Sequence, residues 1–241
     1  MKHLIAAIQF ITILPVGRTI DLVPHKAAPL FPVVGILLGI LVAICDKIAS
    51  GFWPLPVVAL LDVVLLAVLT GAFHLDGLGD AADGLYSQRP KDIALAIMKD
   101  SRTGTMGLVA IICCLALKWA GIYSLNEHRI LFLIIIPAYA RASMLFGIKF
   151  LEYGRPEGGT GHNFFQKPFG NTAFYPLAGL IILSFFAKWD CLILNTGFFI
   201  LVVLILLYYK KKIGCITGDM LGAMTEIIET GLFIIVSAGN I

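Results

Sequence analysis

Seven apolar runs recur along the chain, near residues 29 to 50, 56 to 74, 105 to 125, 130 to 150, 170 to 187, 189 to 209 and 219 to 238. Each is long enough to cross about 30 Å of hydrocarbon at about 1.5 Å per residue. A soluble fold has nowhere to put them: only 14% of the 241 residues are charged, against about 25% in a typical soluble domain, and 59% are hydrophobic. The pattern predicts an all-α fold, a polytopic integral membrane helical bundle of about seven transmembrane helices, forming one membrane-embedded domain over residues 1–241. Pro176 interrupts the fifth run and only Lys188 to Asp190 separate it from the sixth, so six spans with a re-entrant segment is the alternative count. The opening MKHLIAAIQFITILPVG has the basic start and short apolar core of a signal peptide. No small-x-small cleavage site follows, and an N-terminal amphipathic helix lying in the membrane interface is the reading adopted.

Alternating the loops across seven spans puts the N-terminus and the loops near 75–104, 151–169 and 210–218 on one side. That side collects 13 of the 18 Lys and Arg residues; the other holds Lys47, Lys118, Arg129 and Lys188, and Arg141 falls within the fourth span. The positive-inside rule makes the basic side cytoplasmic. The formal net charge of +3 is too mild for nucleic-acid binding by bulk charge. The five cysteines show neither CxxC nor Cys/His spacing, which argues against a zinc site or a disulfide framework. Gly35–Gly39 and Gly218–Gly222 have GxxxG spacing and predict close helix approach. The sequence leaves self-association of the chain open.

The segment Gly71 to Leu85, GAFHLDGLGDAADGL, runs an apolar span into three aspartates. Asp76, Asp80 and Asp83 stand at i, i+4 and i+7, within about 60° of one another on a helix, so one face carries all three carboxylates. Like charges that close repel unless a cation sits among them. Oxygen-only donors select a hard divalent ion, and Mg²⁺ is usually shared between one or two carboxylates and substrate phosphates. An EF-hand is excluded because Leu78 occupies its third position.

Three further segments carry polar groups that phosphate chemistry needs. In MKDSRTGTMG, Asp100 offers another metal ligand, and Arg102 can hold phosphate oxygens in bidentate fashion. The last span opens Thr217-Gly218-Asp219 and carries Glu226 and Glu229 in an otherwise apolar helix. Intramembrane carboxylates face the bundle interior, either lining the cavity of the aspartates or pairing with Arg141 or a histidine. In RPEGGTGHNFF, glycines expose backbone N–H groups beside Arg155, Glu157 and His162. His74, at the membrane edge close to Asp76 in the chain, is a candidate ligand, base or phosphate contact.

Together, FHLDGLGDAADGL, IMKDSRTGTMG and TGDMLGAMTEIIE, with Phe31-Pro32, Gly35 and Gly39 of the first span, resemble the cobalamin synthase (adenosylcobinamide-GDP ribazoletransferase) family almost end to end. The resemblance implies an Mg²⁺-dependent enzyme of the bacterial inner membrane with its active site on the cytoplasmic side. Such an enzyme joins adenosylcobinamide-GDP to α-ribazole or its 5′-phosphate, releasing GMP in the last steps of cobalamin biosynthesis. Carried over by position, Asp76, Asp80, Asp83 and Asp100 become metal candidates, and Asp80, Asp83 and Arg102 catalytic ones, with Asp80 or Asp83 as the base. His74, Arg102, Arg155, Glu157, Asp219, Glu226 and Glu229 become substrate contacts.

Two rivals follow from the residues. CDP-alcohol phosphotransferases share the DGxx opening but continue with Ala-Arg, where Asp80 and Ala81 stand here. An ion-coupled transporter would use Asp76, Asp80, Glu226 and Glu229 as a relay, but the aspartates lie at the membrane boundary and no broken-helix pair is evident.

Overall fold

The computed structural model describes residues 1–100, 102–155, 158–159, 161–167 and 170–238, and the described residues form helices joined by turns and loops. In order they are α1 (Lys2–Ile11), α2 (Pro24–Ala27), α3 (Phe31–Ala49), α4 (Leu55–Leu69), α5 (Phe73–Tyr86), α6 (Lys91–Ile97), α7 (Thr105–Tyr123), α8 (Arg129–Phe150), α9 (His162–Phe165), α10 (Tyr175–Ser184), α11 (Asp190–Lys212) and α12 (Gly218–Ala238). Five stretches are helical, long and apolar enough to cross a membrane: Pro24–Ala49, Thr105–Tyr123, Arg129–Phe150, Asp190–Lys212 and Gly218–Ala238. The bent pair α4–α5 makes a sixth if counted as one span, and Asn171–Ala187 is a shorter apolar helix. Every apolar run expected from the sequence is therefore largely helical, as a polytopic membrane bundle requires, because helices alone satisfy their backbone groups in hydrocarbon without a closed sheet.

The expected N-terminal helix is α1, which buries Ala7 and Ile11 against the rest of the bundle. After α1, the Ile13 N–H donates to the Leu69 carbonyl at 2.9 Å, tying the entry segment to the end of α4. There the chain turns by 87° into α5, through Gly71 and Ala72, both in the left-handed region. Continuation of the second span straight into the aspartates was the sequence expectation. The two left-handed residues end α4 instead, with the Ala72 N–H closing on the Ala67 carbonyl, and α5 sets off across the end of the bundle.

Glycine sets the closest approaches. A Cβ at Gly35 or Gly39 would collide with the backbone of α8 around Leu133 to Ala138, so the first GxxxG spacing marks the α3–α8 seam. The second lies where α12 meets α5: a Cβ at Gly222 would stand 3.3 Å from His74 Cα, and one at Gly77 would stand 2.7 Å from the Asp219 carbonyl oxygen. Neither α5 nor α12 can rotate or withdraw without opening this contact.

One correction concerns charge. Lys118, assigned to a loop on the basic-poor side, lies inside α7 and is 3% exposed. Its Nζ donates to Glu226 at 2.6 Å and to Glu229 at 2.7 Å, while Arg141 of α8 bonds the second Glu229 oxygen. Two cations and two anions thus cancel inside the bundle and join α7, α8 and α12. Toward the other end, Arg129 bonds Asp46 of α3 at 2.6 Å and Asp62 of α4 at 3.0 Å. Lys118→Met leaves two carboxylates facing one guanidinium and should destabilise the detergent-solubilised protein by about 3 kcal/mol. Adding Glu226→Gln removes one charge of each sign and should restore most of the loss in thermal unfolding. An unimproved double variant would mean that the four groups are not a neutral unit.

Candidate functional site

The loops expected on one side do gather at one end of the bundle. Asp83 of α5 reaches the start of α7, Tyr153 pairs with Ile216 just before α12, and Arg155 reaches Asp219. The floor of this end is α5. Gly77 and Gly79 stand between its first two aspartates and Ala81 and Ala82 between the next two, and the two glycines let it lie close to α12 and α7.

Asp80 lies at the centre, with Asp76, Asp219, Arg155 and Asp83 as its charged neighbours. The i, i+4, i+7 spacing therefore puts the three carboxylates in one neighbourhood, and the first turn of α12 adds a fourth. Arg155 bonds Asp219 at 2.8 Å and is the cation among them. Asp83 is held differently from Asp80. Its two oxygens accept from the backbone N–H of Gly104 at 2.6 Å and of Gly107 at 2.8 Å, at the N-terminus of α7 where the helix dipole favours an anion. A Cβ at either glycine would strike this carboxylate.

The remaining expected residues are placed elsewhere. Asp100 makes a bidentate pair with Arg102, whose Nη2 donates at 2.5 Å, and Arg102 is its partner among the described residues. Those hydrogen bonds hold the exposed Asp100 carboxyl below the usual carboxylate range. The pair stands apart from the aspartate cluster. Glu226 and Glu229 stand about two and three turns beyond Asp219 along α12, and are committed to Lys118 and Arg141. The structure thus favours the pairing alternative for both, while Asp219 at the head of the same helix is the acidic group that joins the cluster. His74 is fully buried under the floor against α12, and neither ring nitrogen has a hydrogen-bond partner among the described residues. Glu157 lies outside the described residues.

Sequence reading missed Lys118, whose signal was its position well inside an apolar run. It also missed Asp46, Asp62 and Arg129, which are too far apart in the chain for any local pattern to connect them. Among the described residues no three His, Cys, Asp or Glu side chains converge on one ion position. The oxygen-only donor set nevertheless suits a hard cation that draws its other ligands from water and substrate phosphate.

The arrangement is that of a polytopic membrane protein with an acidic site at one end of its bundle, clamped by one arginine. The chain belongs to the cobalamin-5-phosphate synthase family, whose model matches residues 3–237. It is 38% identical over 236 residues to the adenosylcobinamide-GDP ribazoletransferase of Alkaliphilus metalliredigens, covering 95% of this chain and 92% of that one. It is also 38% identical over 244 residues to the protein of that name from Clostridium novyi, covering 95% and 94%, and 31% identical over 244 residues to that of Acetivibrio thermocellus, covering 98% and 97%. No solved structure matches the chain.

Gly107→Val would push Asp83 off the head of α7. It should lower turnover about a hundredfold while the protein still inserts in the membrane and elutes as a single species in detergent. Unchanged turnover would remove the Asp83–α7 contact from the working site.

Proposed function

We propose that the protein joins adenosylcobinamide-GDP to α-ribazole or its 5′-phosphate and releases GMP, at the cytoplasmic face of the bacterial inner membrane. The support is the carboxylate face of α5 closed by Asp219 and Arg155, in a chain that matches its family over nearly its full length. The acceptor is the ribose 3′-hydroxyl. Its oxygen forms the new bond to the phosphorus that carries the cobinamide, the bond from that phosphorus to the GMP oxygen breaks, and the hydroxyl proton must leave.

Asp80 is the group best able to take that proton. It makes no side-chain hydrogen bond among the described residues, whereas both oxygens of Asp83 already accept from backbone N–H groups, and Asp76 and Asp219 keep the Asp80 surroundings negative. Asp83, fixed on α7, is suited to orientation. Arg155 can shift one donor from Asp219 to a phosphoryl oxygen as charge develops there. Asp76 and Asp80, with Asp219 beside them, are the residues that would hold Mg²⁺, water and substrate phosphate supplying its other ligands. When bound, the ion would offset the charge of the pyrophosphate and of the departing GMP. Asp100 and Arg102 lie on the exposed arm between α6 and α7, where Asp100 holds Arg102 through Nε and Nη2.

Membranes containing the protein, supplied with adenosylcobinamide-GDP, α-ribazole and Mg²⁺, should release GMP and form a complete cobamide in equal amounts by chromatography. EDTA should stop both products, and Asp80→Asn should lower turnover at least a thousandfold with insertion unchanged. Absence of product from well-folded wild-type protein sinks the reading, and full activity in Asp80→Asn removes that residue from the chemistry.

A further inference from the structure

Beside the aspartate cluster, a second cavity of about 570 Å³ opens between the end of α8 and α9. Its polar and aromatic lining includes Glu152, Tyr153, His162, Phe165, Gln166 and Lys167. This chemistry differs from the apolar surface of the spans and has no role in the steps above.

We infer that this cavity holds the guanine base of the nucleotide, with the Glu152 carboxylate accepting from the base's N1–H and N2–H groups; the inference rests on the proposed function. The first support is position. The Gly154 N–H donates to the Ile216 carbonyl at 2.8 Å and the Ile216 N–H to the Glu152 carbonyl at 2.9 Å, which fixes the Glu152–Tyr153 wall to the base of α12. Two residues further on, Arg155 bonds Asp219. Cavity and aspartate cluster therefore share a wall, and phosphates attached to a base in the cavity run over Arg155 toward Asp80.

The second support is the wall's chemistry. The Tyr153 and Phe165 rings are 4.9 Å apart and inclined by 36°, and the Tyr153 and His162 rings are 5.7 Å apart and inclined by 63°, so the wall offers separate aromatic faces, any one of which can carry a stacked base. Burial raises the Tyr153 phenol above the usual tyrosine range, so that ring is neutral.

The third support is Glu152 itself. Its backbone carbonyl is used by Ile216, but its carboxylate has no hydrogen bond or ion pair among the described residues. An ionised carboxylate only accepts. Guanine presents two adjacent N–H donors to such a group. Adenine presents one donor beside a ring acceptor, and the base of a benzimidazole riboside presents none. A free carboxylate on an aromatic wall therefore selects guanine over the other bases that the two substrates carry.

GMP, IMP and AMP separate these possibilities, because IMP differs from GMP only by lacking the N2 amine. Each would be measured as an inhibitor of turnover and, by calorimetry, as a ligand of the detergent-solubilised protein. Wild type should bind GMP about ten- to a hundredfold more tightly than IMP. Glu152→Gln should bring that ratio close to one and raise the KM for adenosylcobinamide-GDP, with the KM for α-ribazole within about twofold of wild type. Phe165→Ala should weaken GMP and IMP alike. Retention of the GMP preference in Glu152→Gln, or a shift of the α-ribazole KM in its place, overturns the inference even where cobamide is formed. Preference for GMP that depends on Glu152 in a protein without turnover would support the site and overturn the proposed function instead.

Discussion

Charge cannot stand alone at hydrocarbon depth, and this bundle is organised around that constraint. Lys118, Arg141, Glu226 and Glu229 come from three helices, and each is acceptable only where the others are. Their mutual neutralisation fixes the rotation and depth of α12 relative to α7 and α8. With α12 so fixed, Gly77 and Gly222 can seat α5 against it, and Asp219 arrives beside Asp80. The acidic site at the membrane boundary is thus held by a neutral cluster below it, and the two groups of carboxylates on α12 serve different ends.

The same division explains which parts of the molecule were legible in the sequence. Apolar runs and glycine spacing are local signals, and they located the helices and both close seams. The aspartate face was legible for the same reason, since i, i+4, i+7 is a property of one helix. Partners supplied by other helices were not. Glu226 and Glu229 look alike whether they face a cavity or a cation, and the deciding residue, Lys118, stands more than a hundred positions away. The turn at Gly71 and Ala72 was hidden because apolar residues continue through it, while the left-handed backbone of an alanine leaves no mark in composition. Asp100 shows the opposite limit: its place near Arg102 in the chain suggested a shared task at the site, but two residues of separation suffice for the pair to satisfy each other at the surface.

Comparison with relatives adds what geometry does not contain. An acidic helix face with one arginine is compatible with several kinds of phosphate chemistry, and the family match narrows these to one. In turn, the geometry separates residues that a family motif treats as equals. Asp80 and Asp83 occur in one motif three residues apart, yet among the described residues the side chain of one makes no hydrogen bond and that of the other is gripped by two backbone amides.

That grip also shapes the segment between its ends. By joining Asp83 to Gly104 and Gly107, it turns the stretch that carries α6 and the Asp100–Arg102 pair into a loop closed at its base on the carboxylate face. A free strand of that length would give up much chain entropy on settling over a bound nucleotide, whereas a ring already closed at its base has little left to lose. The contact that seats Asp83 therefore also limits how far the segment between α5 and α7 can stray from the acidic end of the bundle.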